Sequence, residues 1–214
     1  MRDITIQRAW ASYENNHTQQ SITLCKEVLG DDPEDSEVHA LLALNLLDQG
    51  RIYAAQYEAS LALKLEPNSV IPHWVEGQIS LLQNQPKRAI ACAEECLRLE
   101  ASHPQALLLK SRAYILLSQF DAAIESLKAL RAENPNDPDV MYAIAQAHYA
   151  KNDIVITSNL CEAALSINPD HTDTHILLGR IALAKGDAEE AARILDLFDR
   201  FDPARNVMIP ALHD

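Results

Sequence analysis

Two pairs of potential metal ligands each lie one helical turn apart in this 214-residue chain. Cys92 and Cys96 could offer thiolates from one face of a helix, and His171 and His175 could offer imidazole nitrogens. A zinc site needs four converging ligands, and neither pair has a second pair nearby in the sequence. The glutamate that a zinc-protease helix carries between its histidines is also missing. The sequence therefore predicts no metal site and no cofactor.

Other side chains with catalytic potential lack the surroundings that catalysis requires. No serine is flanked by the glycines of a strained nucleophile turn, and the 5 glycines form no phosphate-binding loop. Aspartate and glutamate are abundant, but they lie in polar stretches where nothing distinguishes one carboxylate as an acid and another as a base. The 4 cysteines fit small buried side chains that stay reduced in the cytosol. The chain is therefore predicted not to be an enzyme.

A proline recurs every 34 residues and indicates that the chain is built from repeated structural units. It occupies positions 33, 67, 135, 169 and 203, with Ala101 in the remaining place. Two other columns at this interval contain only small residues: Ala9, Ala43, Gly77, Ser111, Ala145 and Gly179, and then Ser21, Ala55, Ala89, Ala123, Thr157 and Ala191. Paired helices approach to about 8–10 Å where small side chains line their crossing. Each repeat is therefore predicted to be two antiparallel helices joined by a tight turn and followed by a proline corner.

The same interval bears on the histidines. His175 shares its column with His39 and His73, while His171 shares one with His103. Because a metal site would not recur in this way, both are interpreted as structural residues near the corners of repeats.

The pattern resembles the tetratricopeptide repeat, a 34-residue helix-turn-helix unit. Six repeats fit, at 2–35, 36–69, 70–103, 104–137, 138–171 and 172–205. The sixth carries most of the family's motif, in His175, Leu178, Gly179, Ala191, Leu195, Phe198 and Pro203, with Ala182 in the tyrosine position. Charged residues, Arg8, Glu76 and Lys110, take the leucine position in three repeats. The resemblance implies an all-α fold, a right-handed α-solenoid superhelix of about 12 helices, with one repeat array over 2–205 and a tail or truncated cap over 206–214.

Charge and hydropathy restrict the partners. The formal net charge is −13 and the isoelectric point is near 4.9, which disfavours nucleic acid because phosphate binding needs clustered lysine and arginine. The acidic excess is interpreted as solvation of outer helices, and steering of a basic partner is the alternative. No apolar stretch reaches the roughly 18 residues of a membrane span, and residues 1–10 do not resemble a targeting segment. A cytoplasmic location without direct membrane insertion is predicted.

In this family the first helix of each repeat mainly forms the inner wall of the superhelix. The residues expected to line it form an apolar wall with a polar seam: Trp74, Gln78, Leu81, Leu108, Arg112, Tyr142, Gln146, Tyr149 and Arg180. Exposed aromatic and arginine side chains commonly dominate binding energy, and such a wall suits an extended peptide or an amphipathic helix. The alternative is that much of this stripe is buried between neighbouring repeats.

These observations favour a non-catalytic scaffold that binds a protein or peptide partner in a groove. The alternative is a regulatory or substrate-presenting domain of a larger enzyme or membrane-anchored assembly protein. The apolar residues of the last repeat and the tail leave three outcomes open: the tail folds back over the last helix, two chains pair there as a homodimer, or the repeats belong to a longer array. A third function is a purely structural oligomer whose apolar wall is filled by its own tail.

Overall fold

Twelve α-helices and no strand make up the part of the chain that the computed structural model describes, residues 2–201, with side chains described for residues 2–194. The helices are α1 (Arg2–Glu14), α2 (Thr18–Asp31), α3 (Ser36–Asp48), α4 (Ile52–Leu65), α5 (Val70–Leu82), α6 (Pro86–Leu99), α7 (Pro104–Leu116), α8 (Phe120–Glu133), α9 (Pro138–Ala150), α10 (Ile154–Ile167), α11 (Thr172–Ala184) and α12 (Ala188–Phe201). The predicted all-α repeat fold with about 12 helices is confirmed. The predicted tail at 206–214 lies outside the described residues.

Every odd-numbered helix ends in the same turn. One residue in each turn has a left-handed backbone, with φ between 56° and 78°, at Asn16, Gly50, Asn84, Ser118, Asn152 and Gly186. The following N–H donates to the carbonyl five residues earlier, as from Arg51 to Leu46 and from Asp153 to His148, both at 2.9 Å. This is the Schellman arrangement, which satisfies carbonyls that the helix end leaves open. Glycine and asparagine accept this backbone with little strain, so the turn recurs at the 34-residue interval.

Side-chain N-caps on α3, α7, α9 and α11 close the corners between repeats, whereas Ser69 makes no side-chain hydrogen bond at the start of α5. The Asp35 carboxylate accepts a hydrogen bond from the Val38 N–H at 3.1 Å, and Asp137 caps α9 in the same way. His103 and His171 occupy the equivalent positions, where their Nδ1 atoms accept from the backbone N–H groups of Ala106 and Thr174. These side chains satisfy donors that have no partner within the helix.

The chain divides into two compact units, Met1–Gln119 and Phe120–Asp214, and the boundary falls within the fourth predicted repeat. In the first unit α1 pairs with α2, α3 with α4 and α5 with α6, and each even-numbered helix also packs on the next odd-numbered one. The odd-numbered helices contact one another in the order α1, α3, α5 and α7. No two even-numbered helices approach each other within the described part of this unit. The odd-numbered helices therefore form one side of it, which we call the first inner face.

The second unit repeats this arrangement. Its helix α8 packs on α9, α9 pairs with α10, α10 packs on α11, and α11 pairs with α12. Helices α9 and α11 also contact each other and form the second inner face. None of the described helices in either unit is long and apolar enough to cross a membrane.

The two predicted columns of small residues are confirmed as buried packing positions. Ten of their twelve members are at most 1% exposed, and the other two, Gly77 and Gly179, are buried as well. In the first pair the Ser21 hydroxyl donates to the Ala9 carbonyl at 2.9 Å, and the Asn45 Nδ2 of the next repeat donates to the Ser21 Oγ at 2.9 Å. Close helix crossings and one polar link therefore hold adjacent repeats together.

The charged residues in the leucine position are accommodated in three ways. Arg8 is exposed, and the Lys110 ammonium forms an ion pair with Glu94 at 3.0 Å. The Glu76 side chain is only 4% exposed and pairs with Arg88, while its Oε2 has no hydrogen-bond partner among the described residues. Burial raises the pKa of Glu76, and the attraction of Arg88 opposes this shift.

We expect Gly77→Ala to lower the free energy of unfolding by about 1–3 kcal/mol, measured by urea unfolding. An added Cβ would overlap Leu109 Cδ2 and lie 3.2 Å from Cys92 Cβ, and Leu109 is itself buried. Gly30→Ala is the matched control, because a Cβ there meets nothing within 4 Å. It should stabilise the protein by up to about 1 kcal/mol through helix propensity. Equal effects of the two variants would contradict tight packing at Gly77.

Glu76→Leu should raise the free energy of unfolding at pH 7 by about 1 kcal/mol or more, because it removes a buried charge and leaves Arg88 half-exposed to water. The pKa of Glu76 is raised above 4.5 in the folded state, so ionisation costs stability above that raised pKa, and this cost disappears as the pH falls below 4.5. The gain should therefore be smaller at pH 4 than at pH 7 in urea unfolding experiments. An increase in the stabilisation by Glu76→Leu as the pH falls would contradict this interpretation.

Candidate functional site

The first inner face contains five of the predicted groove residues. Trp74, Gln78 and Leu81 lie on α5 and are half-buried, whereas Leu108 is half-buried and Arg112 is exposed on α7. The opposite side of α5 is formed by residues such as Val75 and Ile79, which are buried in the core. The helical spacing of the predicted stripe therefore separates it from the packing side, as expected for an amphipathic helix.

Trp74 has two roles on this face. Its ring packs against the hydrophobic cluster of α1 to α5 and also against the cluster of Ala89, Ala93, Leu109 and Ala113 on α6 and α7. The indole Nε1 is buried and has no hydrogen-bond partner among the described residues. Groove lining and packing between repeats were alternatives in the sequence, and the structure shows that Trp74 contributes to packing while part of its ring remains exposed.

Two exposed leucines on this face were not predicted. Leu82 is 58% exposed and Leu116 is 52% exposed, and they lie one helical turn after Gln78 and Arg112 respectively. They widen the apolar surface that Leu81 and Leu108 begin. The sequence could have identified both leucines, because they continue the four-residue spacing that leads from Trp74 to Gln78 and from Leu108 to Arg112.

The other end of the first inner face joins aromatic rings to carboxylates. The Trp10 Nε1–H donates to Glu37 Oε1 at 2.7 Å, and the rings of Trp10 and Tyr13 meet edge-on with centroids 6.2 Å apart. Burial, together with the nearby charge of Asp48, raises the pKa of Tyr13 to about 12. Partial desolvation also raises the pKa of Asp48. Carboxylates in such a setting attract a cation more strongly than fully solvated ones do.

The second inner face contains the other four predicted residues. The Tyr142 ring lies 5.6 Å from the His171 ring, and Gln146 Nε2 donates to the Tyr142 hydroxyl at 2.7 Å. Tyr149 is half-buried on α9, and Arg180 is exposed on α11. Neighbouring side chains therefore hold part of this face in place, while Arg180 remains in contact with water.

Comparison with known proteins identifies the family. The model of the family described as Tetratricopeptide repeat matches residues 80–147 and 158–207, which is more than half of the chain. The chain belongs to the tetratricopeptide repeat family. Among curated proteins, the chain is 24% identical over 160 residues to General transcription factor 3C polypeptide 3 of Homo sapiens. This match spans 72% of the chain but only 18% of the human protein.

Solved structures of other tetratricopeptide repeat proteins share the fold. TTC0263 of Thermus thermophilus, described as a thermophilic TPR protein, superposes with a TM-score of 0.77 at 18% identity, covering 86% of this chain and 100% of that one. PilW, described as a type IV pilus biogenesis factor, gives a TM-score of 0.75 at 20% identity, covering 96% and 95%. At these identities the likeness concerns the fold alone.

The histidines are used to build the repeat corners. The Nε2 atoms of three of them donate to the carbonyl of the corner proline six residues earlier: His39 to Pro33 at 2.9 Å, His73 to Pro67 at 2.8 Å and His175 to Pro169 at 2.7 Å. His171 Nε2 instead donates to Asp139 Oδ1 at 2.9 Å. The structural interpretation of the two histidines is confirmed. Among the side chains of residues 2–194, no three potential metal ligands converge.

The cysteines are free thiols in apolar surroundings. Cys25, Cys96 and Cys161 are buried and Cys92 is half-buried. Burial raises the pKa of Cys92 to about 11 and that of Cys96 to about 12, so the reactive thiolate form is disfavoured. The Cys96 thiol donates to the Val70 carbonyl at 3.5 Å. This environment matches the prediction that the cysteines act as small packing residues.

His171→Ala should lower the free energy of unfolding by about 1–2 kcal/mol, because it removes the cap of α11, the bond to Asp139 and the contact with Tyr142. His171→Asn supplies a capping oxygen and should recover part of this loss. Thermal and urea unfolding of the two variants measure the difference. Equal destabilisation would show that the cap does not supply the stability.

Proposed function

We propose that this chain is a scaffold without chemistry of its own, which holds an extended or helical segment of a partner protein against its inner faces. Tetratricopeptide repeats are in general protein–protein interaction scaffolds. Binding of a partner segment to the inner face is supported above all by the exposed apolar surface of α5 and α7. There Leu82 and Leu116 continue the stripe of Trp74, Leu81 and Leu108. A continuous surface of this kind is typical of an interaction site, whereas isolated exposed apolar side chains are not.

The outer side of the first unit offers a less continuous surface. Tyr53 and Tyr57 on α4 are 89% and 68% exposed, but Lys87 and Ala91 take the same repeat positions on α6. The aromatic surface therefore ends after one helix, whereas the inner surface continues from α5 to α7. This difference favours the inner face as the place where a partner segment binds.

The net charge of the chain and the residues of the second inner face also favour a protein partner. A net charge of −13 favours a protein partner over nucleic acid. Tyr142, Gln146, Tyr149 and Arg180 supply the mixture of aromatic, amide and guanidinium groups that protein interfaces use. The cytoplasmic location and a homodimer through the last repeat stay predictions, since the apolar residues that suggested the dimer mostly lie outside the described side chains.

A second candidate is a regulatory or substrate-presenting domain of a larger enzyme or assembly protein. It is favoured by the match to the human relative, in which the matched region is 18% of the whole length. In that case the inner faces would bind a substrate or a regulatory segment for a catalytic part elsewhere.

The test is selection of binding peptides from a random displayed library on the purified full chain, followed by fluorescence anisotropy with labelled peptides. The double variant Gln78→Ala/Arg112→Ala should weaken binding about tenfold, because it removes polar contacts from the middle of the first inner face. Both side chains reach solvent, so circular dichroism should show unchanged helicity.

The matched control is the double variant Tyr53→Ala/Tyr57→Ala, which removes larger exposed side chains from the outer side. It should leave the affinity nearly unchanged. Loss of binding in this control, with normal binding in the inner-face variant, would place the site on the outer side. Tyr149→Ala/Arg180→Ala measures in the same assay whether the second inner face takes part.

A further inference from the structure

Charge is distributed unevenly along the first inner face. Two columns, one near each end of the odd-numbered helices, form its edges. The first contains Asp3, Glu37, Ile71 and Gln105, and the second contains Glu14, Asp48, Leu82 and Leu116. In both columns the residues are acidic on α1 and α3 and uncharged on α5 and α7. All four acidic residues are exposed.

The helices at the acidic end carry two arginines, Arg2 and Arg8, and both lie on α1. Helix α3 contains no lysine or arginine. On α1, the Arg2 guanidinium pairs with Asp32 and Asp35, and Arg8 lines a cleft of 360 Å³ between α1 and α2 together with Glu27. Arg2 also attracts Asp3, but among the described residues neither arginine forms an ion pair with Glu14, Glu37 or Asp48, so these three carboxylates can meet a cation of the partner.

The end of the first inner face at α5 and α7 carries an exposed positive charge and apolar side chains instead of carboxylates. Arg112 is exposed on α7 among the leucines, and it repels any other cation. The neighbouring Lys110 is neutralised by Glu94 of α6 at 3.0 Å. A basic side chain is therefore disfavoured over α7, where Leu82 and Leu116 offer apolar contact instead.

We infer that the segment bound by the first inner face is polarised, with a basic end over α1 and α3 and an apolar end over α5 and α7. This inference rests on the proposed function and adds to it the chemistry and the orientation of the partner. Helices α3 and α7 are separated by two helix packing distances, about 20 Å in all. About seven extended residues or about 13 helical residues cover that length, so one short segment contacts both ends.

The carboxylates at the acidic end are suited to recognise lysine or arginine. Glu37 is held by its hydrogen bond from Trp10, so its position is set before a partner arrives. Asp48 lies near the half-buried Tyr13, in a partly desolvated setting where attraction to a cation is stronger than in bulk water. The adjacent aromatic rings of Trp10 and Tyr13 also favour a cation placed over them.

Three synthetic peptides test this inference against the full chain. All carry the same leucine-rich end, and they differ only at the other end, which contains lysine, glutamine or glutamate. Anisotropy at low salt should give the order lysine, glutamine, glutamate, with about a tenfold difference in dissociation constant between the first and the last. The difference should shrink as salt screens the charges. Tighter binding of the glutamate peptide, or equal binding of all three, would overturn the inference.

A charge-matched pair of variants locates the effect. Glu37→Gln/Asp48→Asn keeps a side-chain oxygen for the Trp10 N–H and should remove most of the preference for lysine. Glu27→Gln/Asp31→Asn makes the same change in net charge at exposed positions on α2 and should keep the preference. Equal loss in both variants would show that only the overall charge of the chain matters.

Photo-crosslinking measures the orientation directly. A crosslinker at the lysine end should label α1 or α3, and one at the leucine end should label α5 or α7, as read by mass spectrometry of digested chain. The reversed labelling would contradict the proposed orientation. A second copy of the chain as the occupant of this face would appear in light scattering as a dimer that excludes the lysine peptide, and that result too would overturn the inference.

The experiments distinguish two failures: a bound segment that is not polarised, and an inner face that does not bind partner segments at all. If all three peptides bind equally and Gln78→Ala/Arg112→Ala weakens each of them, the inner face binds partner segments without charge preference. If none of the three binds and library peptides are unaffected by inner-face variants, the proposed function fails as well.

Discussion

The close crossing of two helices at small side chains is the contact on which the rest of this structure depends. Ala9 and Ser21 in the first repeat, and their equivalents in the others, are buried where the helices meet. Larger side chains at these positions would push the helices apart, because interhelix distance follows the volume at the crossing. Each pair then presents the same surface to the next one, so the 34-residue interval of the sequence becomes a structural interval.

This packing leaves the odd-numbered helices of each unit in contact with one another and leaves one side of them open. On the first unit that side carries exposed leucines at one end and exposed carboxylates at the other. Not every residue of this side is available for binding. Much of the Trp74 ring packs between repeats, so only part of this side chain remains exposed on that side.

The corners show how a repeat tolerates departures from its family's motif. Histidine takes the place of the large aromatic residue in several repeats, and its ring both packs and donates to the proline carbonyl of the corner. Glu76 is a costlier departure, because a carboxylate replaces leucine in a buried position and only one of its oxygens is paired among the described residues. The repeat nevertheless keeps its geometry, since the neighbouring crossing at Gly77 is tightly packed.

The sequence by itself determined the repeat interval, the helices, the turns and the buried small columns, because each follows from local backbone preference or from a residue type that recurs every 34 positions. It also placed the nine candidate groove residues on the first helices. Only the tertiary structure decided which of those side chains stay open, because exposure depends on neighbouring repeats that lie far away along the chain. The exposed Leu82 and Leu116, the double role of Trp74 and the pairing of Glu37 with Trp10 all arise from such contacts.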